Sequence, residues 1–293
     1  MLRGEAPERI PWMTYGGYPR GSTERELRNM GLGILDICAV HEVERPDVRL
    51  EIIDECGVKS RPRRWLHFTE HYGAGLKQKN WREHSTVTEI FHTPLGDLKQ
   101  KFRSYGSGGT WYSERMFKDH SDYEKLRFLV EDTKYTVVDE QIILDRKKFL
   151  GDDGLLMAVL ERSALQQMIV EFMGIERVAI EVRKHPKEFS EIIETILAKQ
   201  EELAHVVANV PVELFWIPDN LDGAVCGPKL FEEYVLPSYE IFSEILHSRG
   251  KILLSHMDGR LKVLCDVIKK TNIDVVEAFT PPPIGDLSII EAK

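Results

Sequence analysis

The sequence predicts an α/β chain of the (β/α)8 TIM-barrel type, short of its last one or two βα units, with a hairpin-rich insertion after the first strand. Three observations predict it. From about residue 155 onward, short apolar runs alternate with amphipathic segments, as buried parallel strands alternate with crossover helices. The runs recur at roughly regular 25–40-residue intervals, which suits a barrel better than a two-layer sheet. At 293 residues, 42% of them apolar and 30% charged, the chain can bury the core of one large α/β domain.

Taken in order, "RIPWMTY" (9–15) reads as the first strand. Residues 16–150 are richer in charge, glycine and aromatics. Strand-like pieces such as "TVTEIFHTPLGDLKQKFRSYG" and "KYTVVDE" predict hairpins and short helices there, forming a cap over the barrel mouth within a single domain spanning 1–293. "GLLMAVLE" (154–161) is the next barrel strand, followed by a helix over "SALQQMIVEFMG" that ends on Gly174. "RVAIEV" (177–182) reads as a third strand, and Pro186 opens a long amphipathic helix to about His205. "VELFWIP" (212–218) is the fourth; the helical segment after it breaks at Pro237 and stops at Gly250. "KILLS" (251–255), the helical "RLKVLCDVIKK" and "DVVEAF" (274–279) complete six strands of an expected eight. Another helix starts in the final "SIIEAK", so the barrel is either completed elsewhere or cut short.

Lys and Arg total 39 against 48 Asp and Glu, a net charge of −9 that repels nucleic acid and anionic membranes. No signal-peptide core and no membrane-length apolar stretch occurs. Four scattered cysteines (Cys38, Cys56, Cys226, Cys265) form no CxxC pair, which points to a reducing cytoplasm.

In such a barrel, chemistry sits at the carboxyl ends of the strands. There the sequence places Tyr15, Glu161, Glu181, Asp219 with Asn220 and Asp222, His256 with Asp258, and Glu277. Carboxylates and imidazole gathered at one rim imply a cation, a polar ligand or water, because unpaired buried charge is costly. In "LLSHMDGRLKVL" (253–264), His256 and Asp258 are spaced to aim at one ion. The alternative is that His256 bonds a neighbouring carbonyl and Asp258 caps a helix beginning near Arg260. Glu277 could instead pair with a neighbouring cation, and Asp219 and Asp222 could be turn formers. Cys226 and Cys265 read as buried packing residues, and the glycine-rich "YGSGGTWY" (105–112) as a loop tip. The basic and aromatic stretch 60–81 reads as a solvated face.

"DNLDG…CGPKLFEEYVLPSYE…LHSRGKILLSHMDGRLKVL…IDVVEAFTPPPIGDLSIIEAK" resembles the uroporphyrinogen decarboxylase superfamily, which includes zinc-dependent methyltransferases that exchange methyl groups with corrinoid proteins. The likeness runs from about residue 155 to the end, with an echo in "RIPWMTYGGY", and rests on P-x-x-F/Y-x-x-Y-x-x-P, H-x-x-G and E-A-F-T-P-P-P in that order. The decarboxylases hold a tetrapyrrole through two arginines near the first strand; "WMTYGGYPRG" has threonine or tyrosine in place of the first and Gly17 in place of the second, with Arg20 nearby. The methyltransferases match better at His256, although Asp258 stands where their first zinc cysteine would be. The resemblance therefore implies a metal-dependent methyltransferase or demethylase acting on a small molecule, with a corrinoid protein docked over the barrel mouth. In it His256, Asp258 and Glu277 hold zinc. Asp219, Glu277 and Tyr15 serve the chemistry, and Trp216, Asn220, Glu161 and Arg20 shape the substrate site. The competing expectations are a metal-free decarboxylase that uses Arg20 and the arginines of 61–64, and a non-catalytic binding barrel. An incomplete barrel would cover its open edges by dimerisation or with the insertion.

Overall fold

The computed structural model describes residues 12–15, 22–54, 57–60, 64–65, 86–105 and 109–292. Six strands form one parallel sheet in the order β1-β2-β11-β12-β13-β14: β1 Trp12–Tyr15, β2 Leu32–Cys38, β11 Gly154–Val159, β12 Leu214–Ile217, β13 Ile252–His256 and β14 Val275–Glu277. All four residues of β12 are buried, as a parallel strand covered on both faces requires.

Side-chain alternation sorts these strands into two faces. Ile37, Met157, Val159, Leu214, Trp216, Ile252 and Leu254, with Leu35 and Val275, form an apolar cluster on the inner face. Their neighbours of opposite parity, including Cys38, Ala158, Phe215, Ile217 and Leu253, belong to the larger core under the helices. The sheet is curled into a half-barrel. Laid flat, its outermost strands would stand about 24 Å apart at ~4.8 Å per step, yet the Tyr15 hydroxyl on β1 donates to Glu277 on β14.

The barrel strands number six, but two assignments differ from the sequence reading. "RVAIEV" is helical within Ile175–Lys184, because Val178 and Val182 lie one turn apart and turn toward the core. Glu181 is therefore a buried helix residue that accepts from the Tyr123 hydroxyl at 3.1 Å, not a strand-end acid. The missing strand is β2, "LGILDIC", inside the region expected to be all cap. Asp36 interrupts its apolar pattern, and Arg146 of the helix Glu140–Leu150 grips that carboxylate at 2.8 and 3.1 Å.

The insertion therefore runs between β2 and β11. It contains a five-stranded antiparallel sheet ordered β5-β4-β7-β8-β9, with β4 Arg49–Asp54, β5 Gly57–Ser60, β7 Thr86–Thr93, β8 Gly96–Tyr105 and β9 Gly109–Glu114. β7 and β8 are the hairpin expected over "TVTEIFHTPLGDLKQKFRSYG". A three-stranded sheet, β10-β3-β6, joins β10 Lys134–Val137, β3 His41–Glu44 and β6 Arg64–Trp65. Insertion and barrel share one apolar core, in which Phe91, Leu126 and Leu129 belong to the same cluster as Phe189 and Phe231.

The helix Pro186–Val207 starts on its proline, as expected, and buries Phe189, Ile192, Ile193, Ile196, Leu203 and Val207 along one stripe. The expected break near Pro237 separates the helices Pro228–Tyr234 and Leu236–His247. Among the described residues, no helix is long and apolar enough to cross a membrane.

Candidate functional site

Four strand ends of the half-barrel converge on one hydrogen-bonded cluster. β13 and β14 pair in register so that His256 stands directly beside Glu277. His256 continues the inward parity of Ile252 and Leu254, and Glu277 continues that of Val275. Glu277 Oε2 lies 2.6 Å from His256 Nδ1 and accepts from Trp216 Nε1 at 3.0 Å. Its Oε1 accepts from the Tyr15 hydroxyl. The Trp216 ring meets His256 edge-on at 5.8 Å between centroids and Tyr15 at 6.4 Å. On the far side of the imidazole, Asp258 Oδ2 lies 3.4 Å from Nε2.

Both acidic partners influence the histidine. Burial works most strongly against a charged His256, but the hydrogen bond and charge of Glu277, joined by Asp258, outweigh it and raise its pKa above 6.5. Burial likewise pushes Glu277 upward, yet the bonds from His256, Tyr15 and Trp216 prevail and hold it below 4.5. An imidazolium–carboxylate pair is thereby favoured at the rim.

The backbone here is specialised. Ala278, directly after Glu277, has φ +57°, which costs a non-glycine residue on the order of 1 kcal/mol. A side chain at Gly259 would put Cβ 2.3 Å from Leu221 O and 2.6 Å from Asp222 Cα, so "HMDG" needs its glycine to pass the loop after β12. Asp258 is not a helix cap. The next turn begins at Lys262, whose N–H bonds Asp286 at 2.9 Å, and the Asp258 carboxylate faces His256 instead.

Other residues expected at the rim lie elsewhere. Asp219 follows two residues after β12, but it is fully buried toward the helix layer. Its Oδ1 accepts from Ser163 N at 2.9 Å and its Oδ2 from Tyr239 Oη at 2.8 Å, and that hydroxyl also meets Ser255 at 2.8 Å. Burial raises its pKa against those bonds. Ser255 is one residue from His256 and points the opposite way, so adjacent strand positions serve two separate networks. Asn220 is exposed, and Asp222 makes the turn, accepting from Ala224 N at 2.7 Å and Arg260 Nε at 3.2 Å. Cys226 is buried, its thiol pushed up to about 12 by burial and by Asp219, and Cys265 packs partly against the core. Arg20, Gly17, residues 61–63 and 66–85, and the centre of the glycine-rich run at 106–108 lie outside the described residues.

Glu161 occupies a second polar enclosure that sequence reasoning missed. A cavity of about 60 Å³ between barrel and insertion is lined by His41, Arg45, Glu161, Gln167 and Glu171, with Val159 shared with the inner face. Glu161 accepts from Tyr135 at 2.8 Å and from Gln167 at 3.2 Å, and burial raises its pKa. Burial also lifts Glu171 to about 7 and lowers His41 to about 4. His41 Nδ1 and Arg45 Nη1 are sealed from solvent with no hydrogen-bond partner among the described residues. No local motif could have signalled this enclosure, since its lining comes from five separate stretches of chain, 41–45, Phe91, Met116, Leu129 and 159–172.

No family model matches the chain, and no curated protein matches it. Among solved structures, a methyltransferase from Methanosarcina mazei is similar with a TM-score of 0.39 and 7% identity, over 57% of this chain. The match spans 48% of that protein, so this chain accounts for about half of it.

Proposed function

We propose that this chain is an enzyme acting on a small molecule at the carboxyl rim of its curled sheet, by cation-assisted methyl transfer or demethylation. The observation that carries the rim as the reacting site is His256, held at Nδ1 by Glu277 with Nε2 turned toward Asp258. A carboxylate on the second nitrogen is the usual way a metal-binding imidazole is oriented. Methyl transfer as the reaction rests on the resemblance of residues 155–293 to the uroporphyrinogen decarboxylase superfamily, whose (β/α)8 plan the six strands would follow in part.

The donors at the rim fit a zinc-class ion in part. His256 Nε2 and Asp258 fit as two protein ligands on one side of the ring. Glu277 lies on the other nitrogen and fits the orienting role, so the remaining positions would fall to water and substrate. A bound ion would supply Lewis acidity to a substrate oxygen or sulfur. In the neutral imidazole that a cation requires, Glu277 would accept a hydrogen bond from Nδ1–H and leave the Nε2 lone pair outward. Trp216 walls the site, and Tyr15, 37% exposed, is placed to meet substrate. A corrinoid protein is the proposed methyl carrier.

A second reading is favoured by one specific observation, the placing of His256 between the carboxylates of Glu277 at 2.6 Å and Asp258 at 3.4 Å, which favours its protonated form. A protonated imidazole can act as a general acid without a metal, as a decarboxylase would require. Elemental analysis of the wild type and His256→Ala separates the two. One zinc equivalent lost in the variant supports the cation reading. Equal metal in both proteins, with turnover still dependent on His256, overturns it in favour of the acid.

A further inference from the structure

We propose that His120, His185 and Glu188 form a second site, distinct from the rim, that binds a zinc-class divalent cation and ties the insertion to the barrel's helix layer. Their ligand atoms all lie within 4.8 Å of one another, and theirs is the single such group of three found among the described residues. Two imidazoles and one carboxylate are a donor set typical of zinc.

Local structure brings the three together. His185 immediately precedes Pro186, which starts the long helix to Val207, and Glu188 lies in its first turn, so the i,i+3 spacing puts both on one side. His120 belongs to the short turn His120–Asp122 after β9, where Asp119 accepts from Ser121 N at 2.9 Å. The adjacent Tyr123 anchors that turn, bonding Glu181 of the preceding helix at 3.1 Å. The insertion thus presents one imidazole to the two donors of the helix layer, and the His120 and His185 rings stand 4.5 Å apart between centroids.

Among the described residues the two imidazoles make ring contacts, but none of the three side chains makes a hydrogen bond or ion pair, so their donor atoms stay available. A tetrahedral zinc site with metal–ligand bonds near 2.1 Å has ligand atoms about 3.4 Å apart. Closing from within 4.8 Å asks for side-chain rotation only, and His120 is exposed enough to turn. One coordination position would remain for water.

The test is a titration of the chelator-treated full chain with Co²⁺ and with Zn²⁺, read by visible absorption, by calorimetry and by the melting temperature. His256→Ala removes the rim site, and His120→Ala, His185→Ala and Glu188→Gln are each made in that background so that only the second site is read. The expected result is a Co²⁺ spectrum retained in His256→Ala and lost when His120→Ala or His185→Ala is combined with it. Affinity should fall by more than the roughly 10–100-fold that loss of an outer partner costs. Zn²⁺ should raise the melting temperature of His256→Ala but not of the His256→Ala/His120→Ala double variant, in which the exposed position of His120 leaves folding intact. Binding unchanged when His120→Ala or His185→Ala is added to His256→Ala, or no binding by His256→Ala itself, would overturn the assignment.

Discussion

Replacing Glu277 with glutamine removes one charge from the centre of the rim cluster while keeping its size and most of its hydrogen-bonding reach. Its carboxylate serves His256, Trp216 and Tyr15 together, so the effect should be read at the group most sensitive to charge, the imidazole. Opposite charges about 4 Å apart attract by ~1 kcal/mol in water and ~4 kcal/mol at an effective dielectric of 20. The His256 and Glu277 side chains are 21% and 12% exposed, which places the pair between those limits. An interaction of about 2–3 kcal/mol is enough to set which protonation state of His256 the rim favours. Burial, which opposes the imidazolium, remains in the variant. His256 should therefore titrate above 6.5 in the wild type and below it in Glu277→Gln, as followed by NMR of the imidazole in chelator-treated protein. Asp258→Asn should move it less, since Asp258 is 3.4 Å away and 46% exposed. A His256 pKa that barely changes in Glu277→Gln would refute the ion-pair account of the rim.

Stability should carry the same signature. Glu277, depressed in the folded state, contributes above 4.5 and loses that contribution as pH falls through its folded pKa; His256, raised, contributes fully below 6.5 and loses it as pH rises through its folded pKa. The stability gap between wild type and Glu277→Gln should thus be widest between pH 4.5 and 6.5, and urea midpoints that are parallel across pH would contradict it. Gly259→Ala forces Cβ against Leu221 O and should cost about 1–3 kcal/mol in denaturant unfolding while displacing Asp258. An unchanged midpoint would mean that the loop after β12 yields freely. Tyr239→Phe removes the hydroxyl shared by Asp219 and Ser255 and should also cost about 1–3 kcal/mol. It should leave the His256 titration where it was, because that network faces the helices.

What the sequence disclosed depended on how local each determinant is. The apolar runs of β11 to β13 are largely buried on both faces and, with the half-buried β14, show as continuous hydrophobic stretches, so their ends, and with them His256 and Glu277, could be read directly. β2 escaped because Asp36 breaks its run, and the arginine that makes an acid tolerable there stands 110 residues away. The segment at 177–182 alternates like a strand, yet Val178 and Val182 also satisfy a helical turn, and packing decided between the two periods. Asp219 looked equivalent to His256, since both close a strand. The side of the sheet a strand-end residue serves is fixed by parity and by where the strand stops, and Asp219 lies two residues past the end of β12. The contact from Tyr15 to Glu277 spans 262 residues and exists because the sheet curls. Curling follows from twist accumulated over six strands, which no single stretch encodes. Strand ends can therefore nominate acids and imidazoles, but only the curled sheet separates the rim cluster of His256 and Glu277 from the buried bracket of Asp219, Tyr239 and Ser255 one residue away.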